Sequence, residues 1–184
     1  MRGNKLRAWS LGLGACCLLL GGLCGCASSY SWKPSVPKAM RTVCVPTFRN
    51  ESSVQELGAI ATRQLLREIQ RDGTFTIRRA GEAAVEIQGV VKSAGCEIGA
   101  YDRKTEMALN AYNYTAVAEV SVIDRRSRKV LADNMRFTAR TSMTSGRDLS
   151  TSMRTASGRL MDDLSRQIVD RLLSMKWERN GKNE

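Results

Sequence analysis

The chain has 184 residues, with 29 lysines and arginines against 18 acids and no histidine, for a formal charge of +11. Without histidine the commonest general base and metal ligand is missing, and Ser-His or Cys-His nucleophilic catalysis is excluded. The positive surplus favours anionic partners and says nothing about fold.

Arg2, Lys5 and Arg7 precede the apolar stretch Leu11 to Leu20, which is too short and glycine-interrupted to span a bilayer as a stable helix. It reads as a secretion signal. Within Leu23-Cys24-Gly25-Cys26, Leu23 lies three places before Cys26 and the small Gly25 directly before it, the arrangement a lipoprotein signal peptidase requires. Cys24 follows the bulky Leu23, while Cys16 and Cys17 lie inside the apolar run, so Cys26 is the expected lipid attachment site. Residues 1–25 are then the signal peptide, and residues 26–39 a lipidated tether marked by Pro34 and Pro37. A diacylglycerol plus an N-acyl chain on Cys26 holds a protein far more firmly than one chain, which gives only marginal binding. No other cofactor and no metal is expected. Ala27 and Ser28 stand where an aspartate would retain an enterobacterial lipoprotein at the inner membrane, which points to the outer membrane, with the domain facing the periplasm.

Cleavage before Cys26 leaves 159 residues, enough for one domain, and removal of Arg2, Lys5 and Arg7 lowers the charge from +11 to +8. In that compartment the anions on offer are lipid phosphates, lipopolysaccharide and peptidoglycan carboxylates, and nucleic acid is not expected. Cys44 and Cys96 remain, either as a disulfide between strands or as two buried thiols.

Thr42 to Phe48 is rich in β-formers and reads as a first strand. Ser53 and Glu56 form a capping-box pattern ahead of Leu57, Ile60, Ala61, Leu65 and Ile69, a helical stripe that Asp72-Gly73 terminates. Thr74 to Arg78 predicts a short strand. Val85, Ile87, Gly89 and Val91 alternate with polar residues, a half-buried strand, and residues 96–110, with Asp102-Arg103-Lys104, read as a loop. Tyr112 to Val122 and Lys129 to Met143 alternate likewise, a hairpin with the basic tip Asp124-Arg125-Arg126-Ser127-Arg128. After Ser145-Gly146-Arg147-Asp148 a last helix carries Met153, Ala156, Leu160, Leu164, Ile168, Leu172 and Met175, with Gly158 as a weak point. The segment 178–184 is expected to be a disordered tail.

This order predicts an α+β two-layer sandwich, with two amphipathic helices packed on one face of a mostly antiparallel sheet of four to five strands. The phosphate-loop patterns are missing, and Asp162-Asp163 reads as a solvated helix face, so no enzyme is expected. The positive candidates are basic. Arg125, Arg126, Arg128 and Lys129 at the tip, and Arg136 and Arg140 on the wet face of the next strand, suit phosphate groups, although charged turns are also ordinary.

The site at Cys26, the strand Thr42-Val-Cys-Val-Pro-Thr-Phe-Arg-Asn-Glu, the segments Glu56-Leu-Gly-Ala-Ile and Arg71-Asp-Gly-Thr-Phe-Thr-Ile, and the strand Val85-Glu-Ile-Gln-Gly-Val-Val together resemble the LptE family of lipopolysaccharide-assembly lipoproteins. The similarity runs from Met40 to Trp177, so residues 40–177 are the expected LptE-like domain. Ala-Ser-Ser-Tyr after Cys26, where members often have Gly-Tyr, departs from the pattern in the tether alone. The resemblance implies two helices on a sheet, a place as plug and assembly partner inside the outer-membrane barrel LptD, and lipopolysaccharide as a ligand. The Val-x-Val-Pro-x-Phe-x-Asn strand and Glu-Leu-Gly helix also resemble lipoproteins of the curli-secretion and penicillin-binding-protein-activator kind, which implies a protein-binding module instead.

Overall fold

A computed structural model describes residues 36–100, 110–145 and 148–177; the signal segment, Cys26, most of the tether, Asp102-Arg103-Lys104 and the tail 178–184 lie outside the described residues. A 3-10 turn at Lys38–Met40 leads into β1 (Thr42–Cys44), β2 (Arg49–Asn50), α1 (Leu57–Asp72), β3 (Thr76–Ile77), β4 (Val85–Ala100), β5 (Asn110–Asp124), β6 (Val130–Ser145) and α2 (Leu149–Ser174). The six strands form one sheet in the order β3-β1-β4-β5-β6, with β2 also paired to β4.

The two helices are as expected, but the sheet is mixed rather than mostly antiparallel. β4, β5 and β6 form antiparallel hairpins, whereas β1 and β2 lie parallel to β4 and β3 lies parallel to β1. The reason is connectivity. α1 carries the chain back along the sheet after β2, so β3 re-enters in the direction of β1, and residues 78–84 must then cross β1 to start β4.

Of the stretch read as one strand over 42–48 only Thr42–Cys44 is strand, and a second short strand, Arg49–Asn50, follows just past its expected end. Val43 and Cys44 pair with Val85 and Glu86, Arg49 and Asn50 with Val90 and Val91, so five steps along one strand match four along β4, a bulge. Pro46 has no N–H to give the ladder, and the Phe48 N–H instead donates to Thr62 Oγ1 at 2.9 Å. The Ser53 capping box is not formed either. Helix α1 starts at Leu57 with Glu56 as N-cap at φ 65° and no side-chain cap bond. The Asn50 side chain organises the preceding turn, donating to Val54 O at 2.8 Å and accepting from the Ser52 N–H at 3.1 Å. At the other end Gly73, at φ 76°, closes the helix through its N–H to Ile69 O at 3.2 Å.

β4 runs on through the start of the predicted loop to Ala100 and β5 takes in its last residue, Asn110, with Cys96 opposite Tyr114 and Ile98 opposite Tyr112, while residues 101–109 lie outside the described residues. A register shift between Val91 and Ser93 moves the buried face from odd to even positions, which erases the alternation a strand shows in sequence. Leu57, Ala61, Leu65 and Ile69 of α1 and Leu160, Leu164, Ile168 and Leu172 of α2 are buried with Ile87, Val91, Ala116, Ala118 and Val120 of the sheet in one core. Trp177 belongs to it, donating to Leu172 O at 2.9 Å with its ring centroid 5.8 Å from that of Phe75.

Asp148 caps α2, accepting from the Ser150 N–H at 2.9 Å. Hydrogen bonds from the Thr151 and Ser150 hydroxyls and the Ser150 amide hold its carboxyl at about 2. A carboxyl depressed in the folded state stabilises above its unfolded value and loses that contribution as pH falls through the folded one. The first turn of α2 is therefore expected to lose order between about pH 4 and about pH 2, and Asp148→Ala to lose it already at neutral pH, as read by amide hydrogen exchange of residues 150–153.

Candidate functional site

The face of the sheet turned away from the helices is polar and of mixed sign. Cross-strand pairing places Arg49, Val90, Glu119 and Arg136 in one row over β2, β4, β5 and β6. Two rows on, Arg140 stands opposite Thr115, and its Nε donates to Thr115 Oγ1 at 3.2 Å. Lys92 pairs with Glu51 at the adjoining edge. Arg136 and Arg140 are thus exposed on one face, as their alternation with Phe137 and Ala139 requires.

The β5–β6 turn is ordered by Asp124, which accepts from the Arg126 N–H at 2.9 Å and the Ser127 hydroxyl at 2.8 Å. Burial opposes ionisation of this carboxyl, yet those bonds together hold it below its ordinary value. Arg126, Arg128 and Lys129 project into solvent from the turn. Arg125 does not. Its N–H donates to Ala84 O at 2.9 Å, and its guanidinium pairs with Glu86 beside the Cys44 thiol. Burial, and then Glu86, push that thiol up despite the arginine.

The six predicted basic residues therefore do not converge. At about 3.3 Å per residue along β5, the Glu119–Arg136 pair lies roughly 13 Å along the hairpin from Ile123–Val130, and the Thr115–Arg140 pair roughly 26 Å. The Cys44–Cys96 disulfide is likewise not formed, and both thiols are free. Cys44 is aligned with Glu86 and Cys96 lies ten residues further along β4, roughly 30 Å away and on the other face of the sheet, because the bulge intervenes.

Strand order gathers further cations that are scattered in the sequence. Thr76 N–H donates to Arg41 O at 2.7 Å, Ala84 N–H to Thr42 O at 3.0 Å and Arg125 N–H to Ala84 O at 2.9 Å, so Lys38, Arg41, Arg78 and Arg79 lie at the same end as the β5–β6 turn. Along the seam of β6 and α2 run two shallow grooves. One, of about 420 Å³, is lined by Thr141, Met143, Thr155 and Arg159, and the other, of about 540 Å³, by Leu131, Met135, Arg171 and Met175. Among the described residues no three acids or cysteines gather as a metal site would require, and no helix is long and apolar enough to cross a membrane.

A family model described as LptE, lipopolysaccharide-assembly, matches residues 40–172. No curated protein matches the chain. Among solved structures, a protein from Xanthomonas campestris superposes with a TM-score of 0.50 at 11% identity, covering 75% of this chain and 88% of that one. A minor lipoprotein from Acinetobacter baumannii gives 0.49 at 11% identity, covering 73% and 94%. A PelC dodecamer subunit from Paraburkholderia phytofirmans gives 0.42 at 16%, covering 71% and 90%. The likeness to the Xanthomonas protein is one of fold.

Proposed function

The chain belongs to the LptE lipopolysaccharide-assembly family, a family of non-enzymatic, outer-membrane-associated lipoproteins, and from that membership we propose that it is a lipid-anchored plug and assembly partner of the barrel LptD. The observation that carries this reading is the extent of the match, which runs from the 3-10 turn before β1 almost to the end of α2 and so takes in the whole two-layer domain. A plug must fill a barrel while its outer surface stays polar. The open sheet face, with charges of both signs and neutral hydroxyl and amide groups between them, suits such a surroundings better than bare membrane lipid does.

The lipopolysaccharide contact in this reading falls on Arg136 and Arg140, whose guanidinium groups share one exposed face and match phosphate oxygens bidentately. Arg136→Glu with Arg140→Glu is expected to weaken lipopolysaccharide binding by at least about a hundredfold, since charge-assisted hydrogen bonds contribute about 1.5–3 kcal/mol each and two arginines are lost. Titration of fluorescent lipopolysaccharide into wild type and variant checks this, and equal affinities would remove the open face from the contact. Affinity isolation of the acylated protein from its own membranes tests the reading as a whole. Recovery of an outer-membrane barrel supports it; recovery of a peptidoglycan synthase, or of a ring of this chain alone, overturns it.

A further inference from the structure

Three loops far apart in the sequence form a continuous rim at the end of the sheet where the described chain begins. Val36 is buried in the core and its carbonyl accepts from Arg41 Nε at 3.2 Å, which fixes the point from which the preceding residues depart. Beside it the backbone bonds from Thr76 to Arg41, from Ala84 to Thr42 and from Arg125 to Ala84 join the 36–41 segment, the 78–84 crossover and the 124–129 turn. Lys38, Arg78 and Arg79 are exposed in the first two loops, and Arg126, Arg128 and Lys129 in the third.

The charge of this rim is lopsided. Residues 36–41, 78–84 and 124–129 hold eight lysines and arginines and two acids, Glu82 and Asp124. Asp124 is engaged by the amides and hydroxyl of its own turn, and the neighbouring Glu86 of β4 pairs with Arg125. The open sheet face, by contrast, intersperses arginine with glutamate. Part of the chain's positive surplus is therefore concentrated at one end rather than spread over the surface.

We infer that this rim docks on an anionic phospholipid bilayer and holds the domain by its anchored end against the leaflet that carries the acyl chains. The proximity rests on the proposed acylation of Cys26, whereas the charge distribution does not. The ten residues 26–35 span at most about 35 Å even when fully extended, so an acylated Cys26 keeps the rim within reach of lipid headgroups. At physiological salt the attraction decays over about 8 Å, so it acts only when the rim lies close to the surface. Basic clusters beside a lipid anchor bind anionic headgroups in this way. Docking there would turn the opposite end of the β4–β5–β6 sheet, where Ile98 is exposed, away from the membrane that holds the anchor.

The test uses residues 26–184 carrying Cys26→Ser, which have no acyl chains, and vesicles of phosphatidylcholine alone or with about one third phosphatidylglycerol. Co-sedimentation is expected with the anionic vesicles only, at about 0.15 M salt and not at about 1 M, where the screening length falls to about 3 Å. Replacing Arg78, Arg79, Arg126 and Arg128 together by glutamate should lower vesicle affinity at least tenfold while the circular dichroism spectrum and Tm hold. Three results overturn the inference: no binding to anionic vesicles, equal binding by the rim variant, or binding to lipopolysaccharide aggregates but not to phosphatidylglycerol. Because the acyl chains are absent, none of these bears on the barrel partnership, which the affinity isolation decides separately.

Discussion

Gly58→Ala is expected to destabilise the domain by about 1–3 kcal/mol, because a Cβ there would stand 2.3 Å from the Phe48 carbonyl oxygen, a backbone atom that cannot rotate aside. The contact is locked from both sides: the Phe48 N–H donates to Thr62 Oγ1, and the Thr62 hydroxyl donates to Gly58 O at 2.7 Å. The first turns of α1 are thereby fastened to the segment before β2. Gly89 on β4 closes the other side, since a Cβ would fall 2.2 Å from the Phe48 ring, which is 3% exposed. Gly158→Ala is the control. Nothing lies within 4 Å of a Cβ at that position in α2, and the substitution should stabilise by up to about 1 kcal/mol through helix propensity alone. Thermal and urea unfolding of the two variants should therefore shift in opposite directions, and shifts of the same sign would refute the close approach of α1 to Phe48.

The second large effect is expected at Cys26. Each buried methylene contributes about 0.8 kcal/mol, so three acyl chains hold a protein to a membrane essentially permanently, whereas the electrostatic rim holds it only weakly. In the cell, with residues 1–25 exchanged for an ordinary cleavable secretion signal so that processing does not depend on Cys26, Cys26→Ser should move the protein from a salt-resistant membrane fraction to one that high salt releases. Mass spectrometry of the N-terminal peptide from wild type should show the diacylglycerol and N-acyl mass on Cys26. A wild-type protein of unmodified mass, or a serine variant that stays in the pellet at high salt, would contradict the proposed anchoring.

Much of the local structure was legible because it depends on short-range periodicity. The stripe from Leu57 to Ile69 and that from Leu160 to Leu172 repeat at three- and four-residue steps, and both are the buried faces of helices. The β5–β6 hairpin was equally plain as two alternating strands around an Asp-Arg-Arg-Ser-Arg turn, although its register shifts between Val120 and Ile123 were not legible. Legibility ended where one residue broke the period. The bulge after Val91 exchanged faces and hid the second half of β4, and Pro46 with Phe48 split the first strand by diverting its donors. Ser53 matched a capping box in spacing, but the Asn50 side chain holds that turn and delays the helix to Leu57.

The basic residues divide along the same line. Arg136 and Arg140 share a face because a strand alternates, which is evident from their spacing of four. Arg125 belongs to the same run of cations as Arg126 and Arg128, yet its guanidinium is bound to Glu86, a partner 39 residues away.

The amino-acid sequence by itself determined the two helices, the long hairpin, the missing histidine chemistry and the family resemblance, for these rest on local periodicity, composition and a linear order of segments. Only the tertiary structure decided that β1, β2 and β3 join in parallel, that Cys44 and Cys96 stay apart, and that Lys38, Arg78 and Arg126 share one rim. Those outcomes depend on pairing between segments far apart in the sequence, from Thr42 with Thr76 to Val43 with Val85, where many arrangements satisfy the same hydrophobic pattern and the packing of the helices over one sheet face selects among them.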